Sequence, residues 1–307
     1  FSLVGPSMLM AKSFSLLAGI GSVILGWAVA NKIWNNQVAN KVGWMMALFP
    51  SLILYSALVM REVYLVFFLI LAIYWIVLWF KTQSYRYFFL IFIAFIGAIF
   101  FHGAMLVGLI IFLVAIAIIN LFKILKSFRN FKLGIASASL ILIVFLTLGL
   151  FITNKIKVPY LHSFENSARF ELIQHQTRIA TRGDASWPKW TVIKSPIEVL
   201  YKAPIRSLYF VFAPLPWDVK KTKHLIGMFD AWIYLFLSIL ILINIKNILS
   251  DPILRIILLI LLTYLFVFGI GVGNFGTGIR HRSKFVFLFI LLAAPYIRNF
   301  KFIKNQN

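Results

Sequence analysis

ILRIILLILLTYLFVFGI, residues 253–270, carries a single charge in eighteen positions. A helix of that length rises about 27 Å, close to the roughly 30 Å hydrocarbon core of a bilayer. LGIASASLILIVFLTLGLFIT, residues 133–153, reads the same way. Of the 307 residues 62% are hydrophobic, and the mean hydropathy is +0.95, more apolar surface than a soluble core absorbs. The ten-residue alternation of a membrane barrel is absent, so helices are the form expected to satisfy the backbone in lipid. The expected class is therefore an all-α, polytopic helical membrane protein.

Apolar windows place about nine spans, at 9–30, 43–59, 63–80, 88–101, 104–122, 133–153, 228–245, 254–270 and 285–297. IRSLYFVFAPLPW (205–217) is too short to cross and holds two prolines, so it reads as re-entrant or interfacial. Three regions follow: an N-terminal transmembrane bundle (1–153), an outer-face, periplasmic loop region (154–227), and a C-terminal bundle with a basic cytoplasmic tail (228–307). Within the loop region, SFENSARFELIQHQTRIATRGD (163–184) has the pattern of an amphipathic helix ended by Gly183. Phe1 opens an apolar stretch with no basic segment before it, so no signal peptide is expected and the sequence reads as a piece lacking its true N-terminus.

Thirty Lys and Arg against eight Asp and Glu give a net charge of +22. In a soluble protein that balance suggests nucleic acid; here most cations flank apolar runs, where the positive-inside rule and anionic lipid headgroups account for them. Lys32 and Lys41, Lys81 and Arg86, Lys123 to Lys132, Lys246 and Arg255, and the basic tail fall on one face when spans alternate. That face is cytoplasmic by the rule. Seven of the eight acids and all five histidines then lie outside, so ionisable chemistry gathers on the outer face.

Absence of cysteine excludes disulfides, thiolate metal sites and cysteine nucleophiles. No metal-ligand spacing occurs, so no resident metal site is assigned; a divalent cation bridged by Glu62, Asp184 or Asp218 to a lipid phosphate is the remaining cofactor option. Glu62, with Arg61 at the start of a span, is a boundary carboxylate and the candidate for acid–base work. His102 lies between two apolar runs as a proton carrier, an anion ligand or a hydrogen-bonded turn histidine. GVGNFGTGIRHRSK (271–284) sets Arg280, His281, Arg282 and Lys284 beside a glycine-rich turn containing Asn274. Such guanidinium forks and turn N–H groups suit phosphate. Arg61, and Arg178 and Arg182 of the amphipathic stretch, join these as phosphate-binding candidates, with Trp217 as a further site candidate.

GPSMLMAKSFSLLAGIGSVILGWAVANKIWNNQVANKVGWMMALFPSLILYSALVMREVYLVFFLILAIYW (5–75) resembles the early spans of the polytopic GT-C glycosyltransferases, the class of the protein mannosyltransferases and the lipid A aminoarabinose transferase. The likeness rests on a short basic loop, a span ending in Pro50, Tyr55 and Ser56, and an acid, Glu62, opening the next. GNFGTGIRHRSKFVFLFILLAAPYI (273–297) is similar to the Arg-aromatic-Arg opening of the last span in bacterial polysaccharide-cluster membrane proteins, with His281 in the aromatic place. The resemblance implies a bacterial inner-membrane enzyme of cell-surface glycan synthesis. Its donor would be a polyprenyl-phosphate-linked sugar, and its partners that substrate and membrane lipids. The family's catalytic acid in the first outer loop has no counterpart in 1–12, so either that base precedes the sequence or another acid serves. The outer loop also resembles O-antigen or capsule repeat-unit polymerases; a lipid-linked oligosaccharide transporter and a non-catalytic membrane partner are the readings from other classes.

Overall fold

The computed structural model describes residues 7–126, 174, 177, 185–219 and 221–297. Among these every regular element is a helix: α1 (Met8–Ile33), α2 (Asn36–Ala47), α3 (Pro50–Ala57), α4 (Arg61–Thr82), α5 (Tyr85–Phe101), α6 (Leu106–Lys126), α7 (Pro196–Phe212), α8 (Thr222–Ile243), α9 (Ile245–Ser250), α10 (Pro252–Gly271), α11 (Phe275–Arg282) and α12 (Val286–Ala293). Short polar residues start several of them by accepting otherwise orphaned N–H groups. Asn35 receives the Val38 N–H at α2, Asp251 those of Ile253 and Leu254 at α10, and Asn274 that of Thr277 at α11.

Four helical segments are long and apolar enough to cross a membrane: Met8–Ile33, Arg61–Thr82, Gly103–Asn120 and Pro252–Gly271. The pair α2 and α3 makes a fifth if it counts as one broken span. This is consistent with an integral membrane protein. Tyr85–Phe101 and Gly227–Ile243 are apolar but shorter.

Three sequence expectations change shape. The expected span 43–59 is not one helix: α2 and α3 meet at a 57° bend. Pro50 has no N–H to continue the ladder, and its ring drives Phe49 out of the helical region, to φ −72° and ψ 120°. Residues 205–212, expected to be re-entrant or interfacial, form the second half of α7, which packs along α10. The last expected span, 285–297, is a short helix, α12, whose eight residues are all buried, with 3₁₀ turns at Ser283–Phe285 and Ala294–Tyr296. A helix apolar on every side belongs in a core, and α12 packs against α1, α2, α8 and α10. The expected span 133–153 and the amphipathic stretch 163–184, apart from Gln174 and Thr177, lie outside the described residues.

Two glycines permit close crossings. A β-carbon on Gly269 would lie 2.7 Å from Ser207 Cα, which lets α7 ride directly on α10. One on Gly108 would overlap the hydroxyl of Tyr264, which donates to the Met105 carbonyl at 3.0 Å.

The bundle has two chemically distinct ends. At one, Lys81 donates to the Lys32 carbonyl, and Lys41 to the Ile297 carbonyl. At the other, the start of α4, the end of α5 and the whole of α11 bring Glu62, His102 and Arg280 together.

Candidate functional site

The first turn of α4 sets Glu62 where the positive end of the helix dipole favours a carboxylate. Its side chain is 1% exposed. Arg280 Nε, from α11, donates to Glu62 Oε1 at 2.7 Å, and Arg61 Nε stands 3.8 Å from the same oxygen. Glu62 Oε2 is buried and finds no hydrogen-bond partner among the described residues. An ionised oxygen left bare in a buried place is costly, so it marks the point where a donor would be bound most strongly. Arg280 is 38% exposed and, among the described residues, only its Nε is engaged, which leaves the two terminal nitrogens for an incoming acceptor.

Beside this pair is a buried basic group built on the Phe268 ring. The rings of His102 and His281 lie 5.2 and 5.3 Å from Phe268 and 5.7 Å from each other. Lys284, fully buried, donates to His281 Nδ1 at 2.6 Å and stands 5.1 Å over Phe268. His102 Nδ1 accepts the Ala104 N–H at 3.3 Å, which puts the proton of the neutral ring on Nε2. Burial first, and then the neighbouring cations, hold His102 down to about 3 and His281 lower still. Burial also lowers Lys284 to about 7, against the Glu62 carboxylate, which works to raise it. Both imidazoles are therefore neutral at physiological pH and act there as hydrogen-bonding groups rather than as proton acceptors.

Arg282, expected at the phosphate beside Arg280, is committed to the fold. It is fully buried, and all five N–H donors are taken: Nε and Nη2 by Asp230 Oδ2 at 3.0 and 2.8 Å, Nη1 by the Val211 and Ala213 carbonyls at 2.7 Å each, and Nη2 also by the Gly227 carbonyl at 3.0 Å. No donor remains for a ligand. Arg206 is a second such staple: it donates to the carbonyls of Gly269, Ile270, Val272 and Thr191 and lies over the Trp187 ring at 5.0 Å. The two guanidinium groups act in sequence. Arg206 of α7 neutralises the C-terminal carbonyls of α10, and Arg282 of α11 neutralises those of α7, where helix ends are negative. Together they hold the 271–274 turn and so aim Arg280.

The structure thus brings Arg61, Glu62, His102, Arg280, His281 and Lys284 into one place. Asn274 stays at the start of α11 as its cap, paired with Ser186 in an isolated bridge. Trp217 is 72% exposed in the turn after α7. Asp218 receives the Leu215 N–H within that same turn. Arg178, Arg182 and Asp184 lie outside the described residues. No group of three or more His, Asp or Glu placed to hold a metal occurs among the described residues.

Glu62 also borders a cavity of about 340 Å³ between α1, α2, α3 and α4. Its walls are mostly apolar, with Leu16, Ile20, Val23, Leu52 and Val66 prominent; Tyr55, Glu62 and Ser283 supply polar lining. A second space of about 360 Å³, beside Trp27 and Trp44, shares the lining residues Val23, Ile24 and Ala47. Leu16, Ile20, Ile24 and Ile53 of the walls are half exposed on the outside of the bundle, so the cavity adjoins the surface a bilayer would cover. No protein-family model matches the chain, and no curated protein or solved structure matches it significantly.

Sequence reasoning missed Asp230 and Arg206 as structural charges. The signal for Asp230 was present: a single acid in the apolar run MFDAWIYLFLSILILI implies a buried partner. Arg206 had no such mark, because its partners are backbone carbonyls.

Proposed function

We propose that the protein is a membrane glycosyltransferase of GT-C type, with about nine spans in a bacterial inner membrane, that moves a sugar from a polyprenyl-phosphate donor to an acceptor at the outer face. The observation that carries this reading is the Glu62 carboxylate, with one oxygen on Arg280 and the other buried without a partner at the edge of an apolar cavity. An ionic site bordering an apolar cavity fits an amphiphile with an anionic head.

The chemistry follows from the charges. Glu62 takes the proton of the acceptor hydroxyl as its oxygen bonds to the anomeric carbon, and the bond from that carbon to the phosphate oxygen breaks with its electron pair staying on phosphate. Arg280 and Arg61 hold that developing charge, and inversion results. Arg280 releases Glu62 as it turns to the phosphate, so donor binding itself frees the base. Phosphate leaves as a stable anion and needs no second carboxylic acid, unlike the leaving group of a glycosidase.

The test is glycan production in cells whose only copy carries Glu62→Gln or Arg280→Gln, with membrane levels measured in parallel. Loss of the glycan by about 100-fold or more at unchanged protein level is expected; normal glycan from both variants overturns the reading. The break at Pro50 gives a transporter of lipid-linked saccharides its own support, since broken helices line transport sites. A transporter moves the saccharide between leaflets with its lipid linkage intact, whereas a transferase makes a new glycosidic bond.

A further inference from the structure

Pro50 separates α3 from α2, and the segment that follows is lightly held. Ser51 is its only buried residue, while Ile53 and Leu54 are about half exposed. Its outer end is tied by Ser15 Oγ, which donates to the Leu58 carbonyl at 3.0 Å, and Ser56 rests on Gly19 of α1. Its inner end turns Ser51 toward Asp230 and Tyr234 of α8. The fit there is loose: the buried Ser51 hydroxyl faces Asp230 and Tyr234, but Ser51 Oγ, Asp230 Oδ1 and Tyr234 Oη make no hydrogen bond of good geometry among the described residues. Buried polar groups so poorly bonded are costly, so a displaced α3 that lets them bond fully or meet water competes with the position seen.

Leu52, Ile53, Tyr55 and Ser56 of this same segment wall the cavity that Glu62 borders. The charge at that border, Arg280 and Arg61 around one carboxylate, selects an anionic head for whatever chain fills the apolar part. We propose that α3 is a hinged lateral door, turning at Phe49–Pro50 and at the turn before α4, that admits the hydrocarbon chain of an anionic lipid from the bilayer into the cavity. The door deepens the proposed function only in naming how a lipid reaches the site, and it holds equally for a transporter.

The chain has no cysteine, so a single introduced disulfide can lock the door. A β-carbon at Gly19 lies 2.7 Å from that of Ser56, and an outward shift of about 1 Å reaches disulfide distance. The protein carrying Gly19→Cys and Ser56→Cys is placed in neutral-lipid vesicles doped with a phosphatidic acid bearing a photoreactive group on its chain, and labelling of the Val23 and Val66 peptides is read by mass spectrometry. Labelling should fall about tenfold on oxidation and return with reductant, and neither single-cysteine variant should respond to oxidation. Equal labelling of the oxidised and reduced double variant overturns the door. A second variant covers failure of the disulfide: Ser51→Ala with Tyr234→Phe removes two of the three poorly bonded groups from the closed position, so labelling should slow several-fold. Unchanged or faster labelling overturns the proposal. Lipid labelling without glycan synthesis removes the transferase and keeps the door; glycan synthesis by the locked protein removes the door alone.

Discussion

Arg280 and Arg282 stand two residues apart on α11 and have opposite commitments: among the described residues Arg280 gives one donor to Glu62 and keeps two nitrogens free, whereas Arg282 gives all five donors to protein acceptors. Residues two apart on a helix point about 200° apart, so α11 presents one arginine to the cavity side and buries the other against α8.

Replacement of Arg282 is therefore expected to act on stability. Arg282→Ala leaves Asp230 buried and unpaired and opens the Val211, Ala213 and Gly227 carbonyls, at a cost of about 3–5 kcal/mol. Arg282→Lys should rescue little, because an ammonium cannot reproduce a five-donor fork. Arg280→Ala should cost less, since Arg280 is partly exposed and Arg61 remains near Glu62. Unfolding in detergent followed by tryptophan fluorescence gives the order; equal losses for Arg280→Ala and Arg282→Ala contradict it.

Lys284 predicts a pH dependence whose sign can be worked out. Burial lowers its folded pKa from 10.5 to about 7. Between those values the unfolded chain holds a proton that the folded chain has released, so stability rises with pH from about 7 to 10.5 and is fully present above that window. The steepest contribution is about 1.4 kcal/mol per pH unit. The groups facing Lys284 are Arg61 and Glu62 of α4, His102 after α5, Phe268 of α10, and Arg280 and His281 of α11. In Lys284→Met the slope between pH 7 and 9 should flatten; an undiminished slope assigns it to another group.

Glycine positions separate contact from conformation. Gly269→Ala meets Ser207 backbone at 2.7 Å, which no rotamer relieves, so α7 must shift from α10 at a cost of about 1–3 kcal/mol. Gly271→Ala, two residues on, has nothing within 4 Å of the new carbon and should be near neutral. Melting temperatures of the two variants decide, and similar values refute the close crossing.

The two ends of the bundle predict sidedness. Cysteines placed at Lys81 and at Trp217 should react with a membrane-impermeant maleimide from opposite faces, Trp217 from outside intact cells and Lys81 only after permeabilisation. Labelling of both from one face breaks the alternating order.

Helical class, the positions of α1, α4 and α10, and the candidates Glu62, His102 and Arg280 were legible in sequence because apolar run length and isolated charges are local properties. The break at Pro50 was legible only as a weakness, because a proline fixes the loss of a hydrogen bond while the bend angle depends on what each arm packs against. The division of labour between Arg280 and Arg282 was not legible at all. Both are arginines in one basic run, and only tertiary packing brought Asp230 and the ends of α7 against one of them and a cavity edge against the other. The sequence by itself determined that the chain is helical and apolar and that most of its charges fall between apolar runs, since these follow from transfer energy and backbone hydrogen bonding. Which of those charges serves the fold and which faces a ligand was decided by the tertiary structure, because a guanidinium's role is set by how many acceptors surround it.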